Sequence, residues 1–111
     1  MSFPALIVVP VSDMEQATAT YKAVLGIDPY YESPYYTGFR TETGELGLDP
    51  NAKTNGVLPY WQVDDLDGAI AALIAVGATV VREPSDVGGG MTVAVLADTD
   101  GNPIGLRQAI A

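Results

Sequence analysis

Two stretches of this chain spell one pattern about fifty residues apart, and that repeat limits the folds open to it. Val11, Asp13, Met14, Ala17 and Tyr21 recur in the same order and spacing as Val63, Asp65, Leu66, Ala69 and Leu73. The strand endings echo as well: Gly44-Glu45-Leu46-Gly47-Leu48-Asp49 returns as Asn102-Pro103-Ile104-Gly105-Leu106-Arg107. A unit of this length cannot bury its apolar face alone and needs its copy. The chain therefore reads as a single domain, 1–111, built from module 5–49 and module 57–108 with a polar, turn-rich linker at 50–56.

Each copy spells the same order of elements. The apolar run Ala5–Val11 reads as a strand buried on both faces. Ser12 and Asp13 offer N-caps, Met14, Ala17, Tyr21, Val24 and Leu25 recur at helical spacing, and Gly26 ends the helix. Strands are expected at Tyr30–Glu32, Tyr35–Thr41 and Glu45–Asp49, with Ser33-Pro34 dividing the first two. In the second copy Val57–Val63 is a strand, and Asp64 or Asp65 caps a helix marked by Leu66, Ala69, Ile70, Leu73 and Val76. Gly77 stops that helix, and strands follow at Thr79–Glu83, Met91–Ala97 and Pro103–Gln108. The fold class is α+β, a βαβββ unit used twice, with two curved mixed sheets pairing around a cleft and the helices outside.

Composition removes whole classes of function. Fourteen acidic residues against five basic ones leave a net charge of -9, which repels nucleic-acid backbones and is either a solvated acidic surface or an attraction for a cationic ligand. No apolar run approaches the roughly 20 residues of a membrane span, and no signal peptide opens the chain, so a cytoplasmic location without membrane partners is expected. Cysteine is absent, and with it disulfides, thiolate ligands and cysteine nucleophiles. Histidine is absent too, which takes away the commonest metal ligand and the usual base for a serine nucleophile. Gly88-Gly89-Gly90 precedes a strand and no lysine, so it reads as a loop passing over the cleft, not as a phosphate cradle.

Three motifs in this order resemble the vicinal oxygen chelate fold, the glyoxalase and bleomycin-resistance superfamily. VSDMEQATATYKAVLG resembles the strand-to-helix signature of its first half, VDDLDGAIAALIAVGATV that of its second, and LADTDGNPIGL its closing D-P-D-G-N-P-x-x-L. Thr99 stands where the closing turn usually has Pro. The resemblance implies a divalent metal held by His and Glu from four strands, and those positions fall here on Leu6, Gly47, Leu58 and Gly105. None offers a lone pair from its side chain. The expectation is that no metal or other cofactor is bound and that metal-dependent lyase or dioxygenase chemistry is absent.

Side chains of equal parity share a face of a strand. With Leu6, Gly47, Leu58 and Gly105 toward the cleft, Val8, Glu45, Asp49, Tyr60, Gln62 and Arg107 join them, and Trp61 turns into the core. Glycine at a ligand position either lets a ligand approach the backbone or serves tight sheet curvature. The tyrosine-rich run Tyr30–Arg40 is either cross-strand packing or a stacking wall for a planar ligand. Its parity is open, so either Tyr35 with Phe39, or Tyr36 with Arg40, faces inward. The candidate ligand-binding set is Tyr35, Tyr36, Phe39, Arg40, Glu45, Gly47, Tyr60, Gln62, Gly105 and Arg107, with no catalytic residue assigned.

An aromatic wall beside carboxylates suits a cation. The expected function is metal-independent binding of a small planar or cationic metabolite or antibiotic, similar to the sequestering branch of the superfamily. The alternatives are a metal-independent enzyme using a Tyr, Arg or carboxylate, and a regulatory or structural dimer without a ligand. A homodimer is expected, and the sequence leaves open whether modules pair within or across chains.

Overall fold

The structure is a computed structural model that describes residues 4–52 and 56–109. Residues 53–55 of the expected linker lie outside the described residues. The chain divides into two compact units, Ala5–Leu58 and a second built mainly from Pro59 onward. Both have the βαβββ order, and the protein is α+β.

In the first unit β1 (Leu6–Pro10) leads into α1 (Met14–Leu25), followed by β2 (Tyr31–Glu32), β3 (Thr37–Arg40) and β4 (Glu45–Asp49). β4 lies parallel to β1, as a crossover through a helix allows, while β3 pairs antiparallel with both β4 and β2. Asp13 caps α1, its carboxylate accepting from the Gln16 amide at 3.0 Å. Gly26 ends the helix at φ 70, the left-handed conformation that favours glycine. β1 is less enclosed than its unbroken apolar run suggests. Val8 is buried, but Ile7 keeps 36% of its surface, because α1 carries no fully buried residue and covers its sheet thinly.

The second unit runs β5 (Leu58–Gln62), α2 (Leu66–Ala75), β6 (Thr79–Asp86), β7 (Met91–Ala97) and β8 (Pro103–Ala109). β5 and β8 are parallel, and β7 pairs antiparallel with β8 and β6. The cap repeats closely: Asp65 accepts from the Gly68 amide at 3.0 Å. Its φ and ψ of -133 and 92 compare with -127 and 100 at Asp13. Leu66, Ala94, Leu96 and Leu106 form the core, with Trp61, Ile70, Leu73 and Val80 packed against them. Trp61 is therefore on the helix-facing side, where its parity puts it.

Two expectations change here. β6 continues through Pro84 to Asp86, three residues beyond its expected end. Register shifts between Val80 and Arg82 and between Arg82 and Ser85 take Pro84 out of the regular ladder, so its missing amide breaks no paired bond. The three glycines after it form the β6–β7 hairpin turn and not a separate covering loop. Gly88, Gly89 and Gly90 all have positive φ, and Gly88 is held by the Asp86 carboxylate at 2.7 Å.

Candidate functional site

Two turns in the first unit aim its polar side chains. At Ser33-Pro34-Tyr35-Tyr36 the Ser33 hydroxyl accepts from the amides of Tyr35 and Tyr36, each at 3.1 Å. The Ser33 amide donates to the Tyr36 carbonyl at 3.0 Å. At Thr41–Gly44 the Thr41 hydroxyl accepts from the amides of Thr43 and Gly44, and the Thr41 amide donates to the Gly44 carbonyl. This second turn sets Arg40 directly across from Glu45, and Gly38 across from Gly47. Side chains in direct register share a face, so Arg40, Glu45 and both glycines occupy one side of the sheet. Thr37, Phe39 and Leu48 take the other. Thr37 there helps line a surface groove of about 400 Å³ with Met14, Thr18 and Lys22 of α1, which identifies the helix-facing side.

On the side away from α1, one carboxylate gathers three partners. The Tyr30 hydroxyl donates to Glu45 Oε2 at 2.6 Å, and the Tyr36 hydroxyl donates to the same oxygen at 2.7 Å. Such short phenol–carboxylate bonds are charge-assisted. The Arg40 guanidinium stands 3.6 Å from Oε1 and 4.0 Å from the centre of the Tyr30 ring. The Glu45 side chain is only 16% exposed, that of Arg40 63%. Desolvation pushes the Tyr30 phenol above its ordinary value, and its bond to Glu45 and the carboxylate's charge push the same way. Arg40 opposes this more weakly. The Tyr30 phenol thus stays a protonated donor at neutral pH, and Oε1 is left facing a cation.

The glycines make this cluster possible. A Cβ on Gly47 would stand 2.5 Å from Tyr36 Cε1 and 2.7 Å from Cζ. A Cβ on Gly38 would meet Tyr30 Cε1 at 2.7 Å and Tyr36 Cε2 at 3.0 Å. The paired glycines form a floor on which two rings lie, and the rings bring their hydroxyls to Glu45. The second unit uses the device once: a Cβ on Gly105 would meet Tyr60 Cδ1 at 2.5 Å and the Pro59 carbonyl at 2.8 Å. There Gln62 and Arg107 sit in register, and Arg107 Nε donates to Gln62 Oε1 at 2.9 Å.

A model of the Glyoxalase/Bleomycin resistance protein/Dioxygenase superfamily matches residues 4–106, nearly the whole chain. The chain belongs to this superfamily. Solved structures agree on the fold. A superfamily member from Vibrio splendidus 12B01 is 14% identical with a TM-score of 0.77, covering 98% of this chain and 100% of its own. A Streptomyces coelicolor methylmalonyl-CoA epimerase variant, in complex with 2-nitronate-propionyl-CoA, is 16% identical with a TM-score of 0.72, covering 100% and 99%. A Legionella pneumophila chain described as an NAD-dependent benzaldehyde dehydrogenase is 20% identical with a TM-score of 0.74, covering 94% and 97%. No curated protein matches.

The superfamily's metal does not fit the residues present. Of the four expected ligand positions, Leu6 and Leu58 are hydrocarbon, and Gly47 and Gly105 are each covered by a tyrosine ring. Among the described residues no three His, Cys, Asp or Glu side chains come together as a ligand set. A lone carboxylate already bonded by two phenols lacks the several donors that a divalent cation needs.

Of the expected site residues, the structure brings Tyr36, Arg40, Glu45 and Gly47 together. This resolves the open parity in favour of the pair Tyr36 and Arg40. Phe39 does not join them: it is wholly buried at 0% exposure on the α1 side, where direct pairing with Leu46 commits it. Tyr35 projects from its turn at 73% exposure and is not part of the Glu45 cluster. Tyr60, Gln62, Gly105 and Arg107 form the separate pair of contacts in the second unit. The expected choice for the glycines, ligand approach or sheet curvature, is answered by a third role, seating the protein's own tyrosines. Tyr30 was missing from the expected set. It opens the Tyr30–Arg40 run and was expected to begin a strand, but the strand starts one residue later, so no strand parity fixes its side.

Proposed function

We propose that this protein binds a small planar cation without a metal ion, on the Tyr30–Tyr36–Glu45 face of its first unit. The observation that carries this is the state of Glu45. Two phenols hold Oε2, while Oε1 faces the loosely placed Arg40 guanidinium at 3.6 Å beside an aromatic face, a position suited to a positive partner. A carboxylate next to a ring attracts a cation through both charge and the ring quadrupole. The net charge of -9 draws cations toward the molecule. Oε2 accepts two hydrogen bonds and donates none, so the cluster is organised to hold charge. This organisation supports a binding role for the face.

The test is a thermal-shift titration after EDTA treatment, comparing benzamidinium with its neutral analogue benzamide. Ligand that binds the folded state raises the midpoint by mass action. Benzamidinium is expected to give a saturable rise that Glu45→Gln removes, with benzamide silent in both proteins. Equal rises from the two compounds, or a rise that survives Glu45→Gln, would refute cation binding at this face.

A further inference from the structure

From the geometry of Arg40 we infer that this side chain is a built-in occupant of the site, resting in the seat of a guanidinium or amidinium ligand. The inference deepens the proposed function and rests on it, since it concerns the same carboxylate and ring. A planar cation at this face would stack on Tyr30 and approach Glu45 Oε1. The Arg40 guanidinium does both, at 4.0 Å from the ring centre and 3.6 Å from the oxygen. The protein thereby displays the shape of cation that the face accepts.

Three features mark Arg40 as displaceable. Its distance to Oε1 exceeds that of a direct hydrogen bond, so the pair is a loose ion pair. Its side chain is 63% exposed and ends a strand beside a turn, so it can swing into water by giving up only its contacts with Tyr30 and Glu45. Beyond the ion pair and the stack, its remaining polar contact is donation to the Tyr30 hydroxyl, while both phenols hold Glu45 through Oε2, the oxygen Arg40 does not face. By contrast Glu45, Tyr30 and Tyr36 are tied to one another and to the glycine floor. The seat is held by its own bonds, and Arg40 is far more exposed than the carboxylate it faces.

An internal occupant lowers apparent affinity by the fraction of molecules in which the seat is open. A stack and an exposed ion pair together correspond to a seat filled most of the time, on the order of five to ten molecules closed for each one open. Removing Arg40 should therefore tighten a planar cation by about five- to ten-fold. That direction is opposite to the one expected of an arginine that contacts ligand. The device would also select among ligands: a guanidinium or amidinium matches both the stack and the ion pair, whereas an ammonium matches only the charge.

The experiment is calorimetric titration of benzamidinium, with benzylammonium beside it, into four proteins: wild type, Arg40→Gln, Arg40→Gln with Glu45→Gln, and Arg82→Gln. Arg82 lies on β6 and supplies the same loss of charge outside the site. The expected result is a five- to ten-fold tighter benzamidinium constant in Arg40→Gln, a smaller gain for benzylammonium, loss of the gain in the double variant, and no change in Arg82→Gln. If wild type binds and Arg40→Gln binds equally or more weakly, Arg40 is not an occupant, while the proposed function stands. If Arg82→Gln gains as much, the effect is net charge and the inference falls. If neither wild type nor Arg40→Gln binds, or the double variant keeps the gain, the proposed function falls along with the inference.

Discussion

Replacing Gly47 with alanine tests the glycine floor directly. The new methyl group would begin 2.5 Å from Tyr36 Cε1 and 2.7 Å from Cζ. Carbon atoms are comfortable at about 3.5–4.0 Å, so the ring must retreat by roughly 1 Å. It cannot do so and keep its 2.7 Å bond to Glu45. Overpacking of this kind costs about 1–3 kcal/mol, and losing a hydrogen bond to a charged group about 1.5–3 kcal/mol. Removing a glycine from a strand returns about 0.5–1 kcal/mol. The expected net loss is therefore about 3 kcal/mol. Urea unfolding followed by far-ultraviolet circular dichroism would read it as a lower midpoint at unchanged slope. The decisive control is the same substitution in a Tyr36→Ala background. With the ring gone the methyl has room, and Gly47→Ala should become neutral or slightly stabilising, a coupling of about 2 kcal/mol or more. A Gly47→Ala protein as stable as wild type, or one that loses as much without the ring, would refute the account.

Further outcomes follow from other parts of the structure. Tyr30 has a raised pKa, so its protonated form belongs to the folded state. The associated stability is intact below the unfolded tyrosine value near about pH 10 and is lost as pH rises through the folded value. Ultraviolet phenolate titration should show a component ionising above the ordinary tyrosine range, and Tyr30→Phe should reduce that component and flatten the alkaline fall in stability. Asp13→Ala and Asp65→Ala should each cost about 1 kcal/mol, because each removes one capping acceptor, with Asn at either position restoring most of it in thermal melts. Nickel, zinc or manganese added after EDTA should leave the melting midpoint unmoved. A saturable rise would show that the hydrocarbon and ring-covered positions Leu6, Gly47, Leu58 and Gly105 had been wrongly excluded as ligands.

Much of the frame was legible before any coordinates. β4 and β7 have the bounds expected of them, Glu45–Asp49 and Met91–Ala97. Each helix starts after the second of its two candidate caps, Asp13 and Asp65. These features are local: a cap involves residues three apart, and strand parity follows from alternation along a few residues. β6 ran past its expected end because a bulge, invisible in sequence, absorbed Pro84. The Tyr30–Arg40 run stayed ambiguous because the Ser33 turn interrupts the alternation on which parity depends.

The sequence by itself determined the repeated order of elements, the capped helices, the α+β class and the lack of side-chain ligands at the four metal positions. All of these depend on residue type and near-neighbour spacing. Tertiary structure alone decided what covers the glycines at two of those positions. Tyr36 reaches Gly47, and Tyr30 reaches Glu45, only through two turns that return the chain across its own sheet. A glycine has no side chain to announce its purpose: the same residue suits an open floor or one already covered by a ring. The difference lies in which aromatic side chain the turns deliver above it, and that is a property of the folded chain.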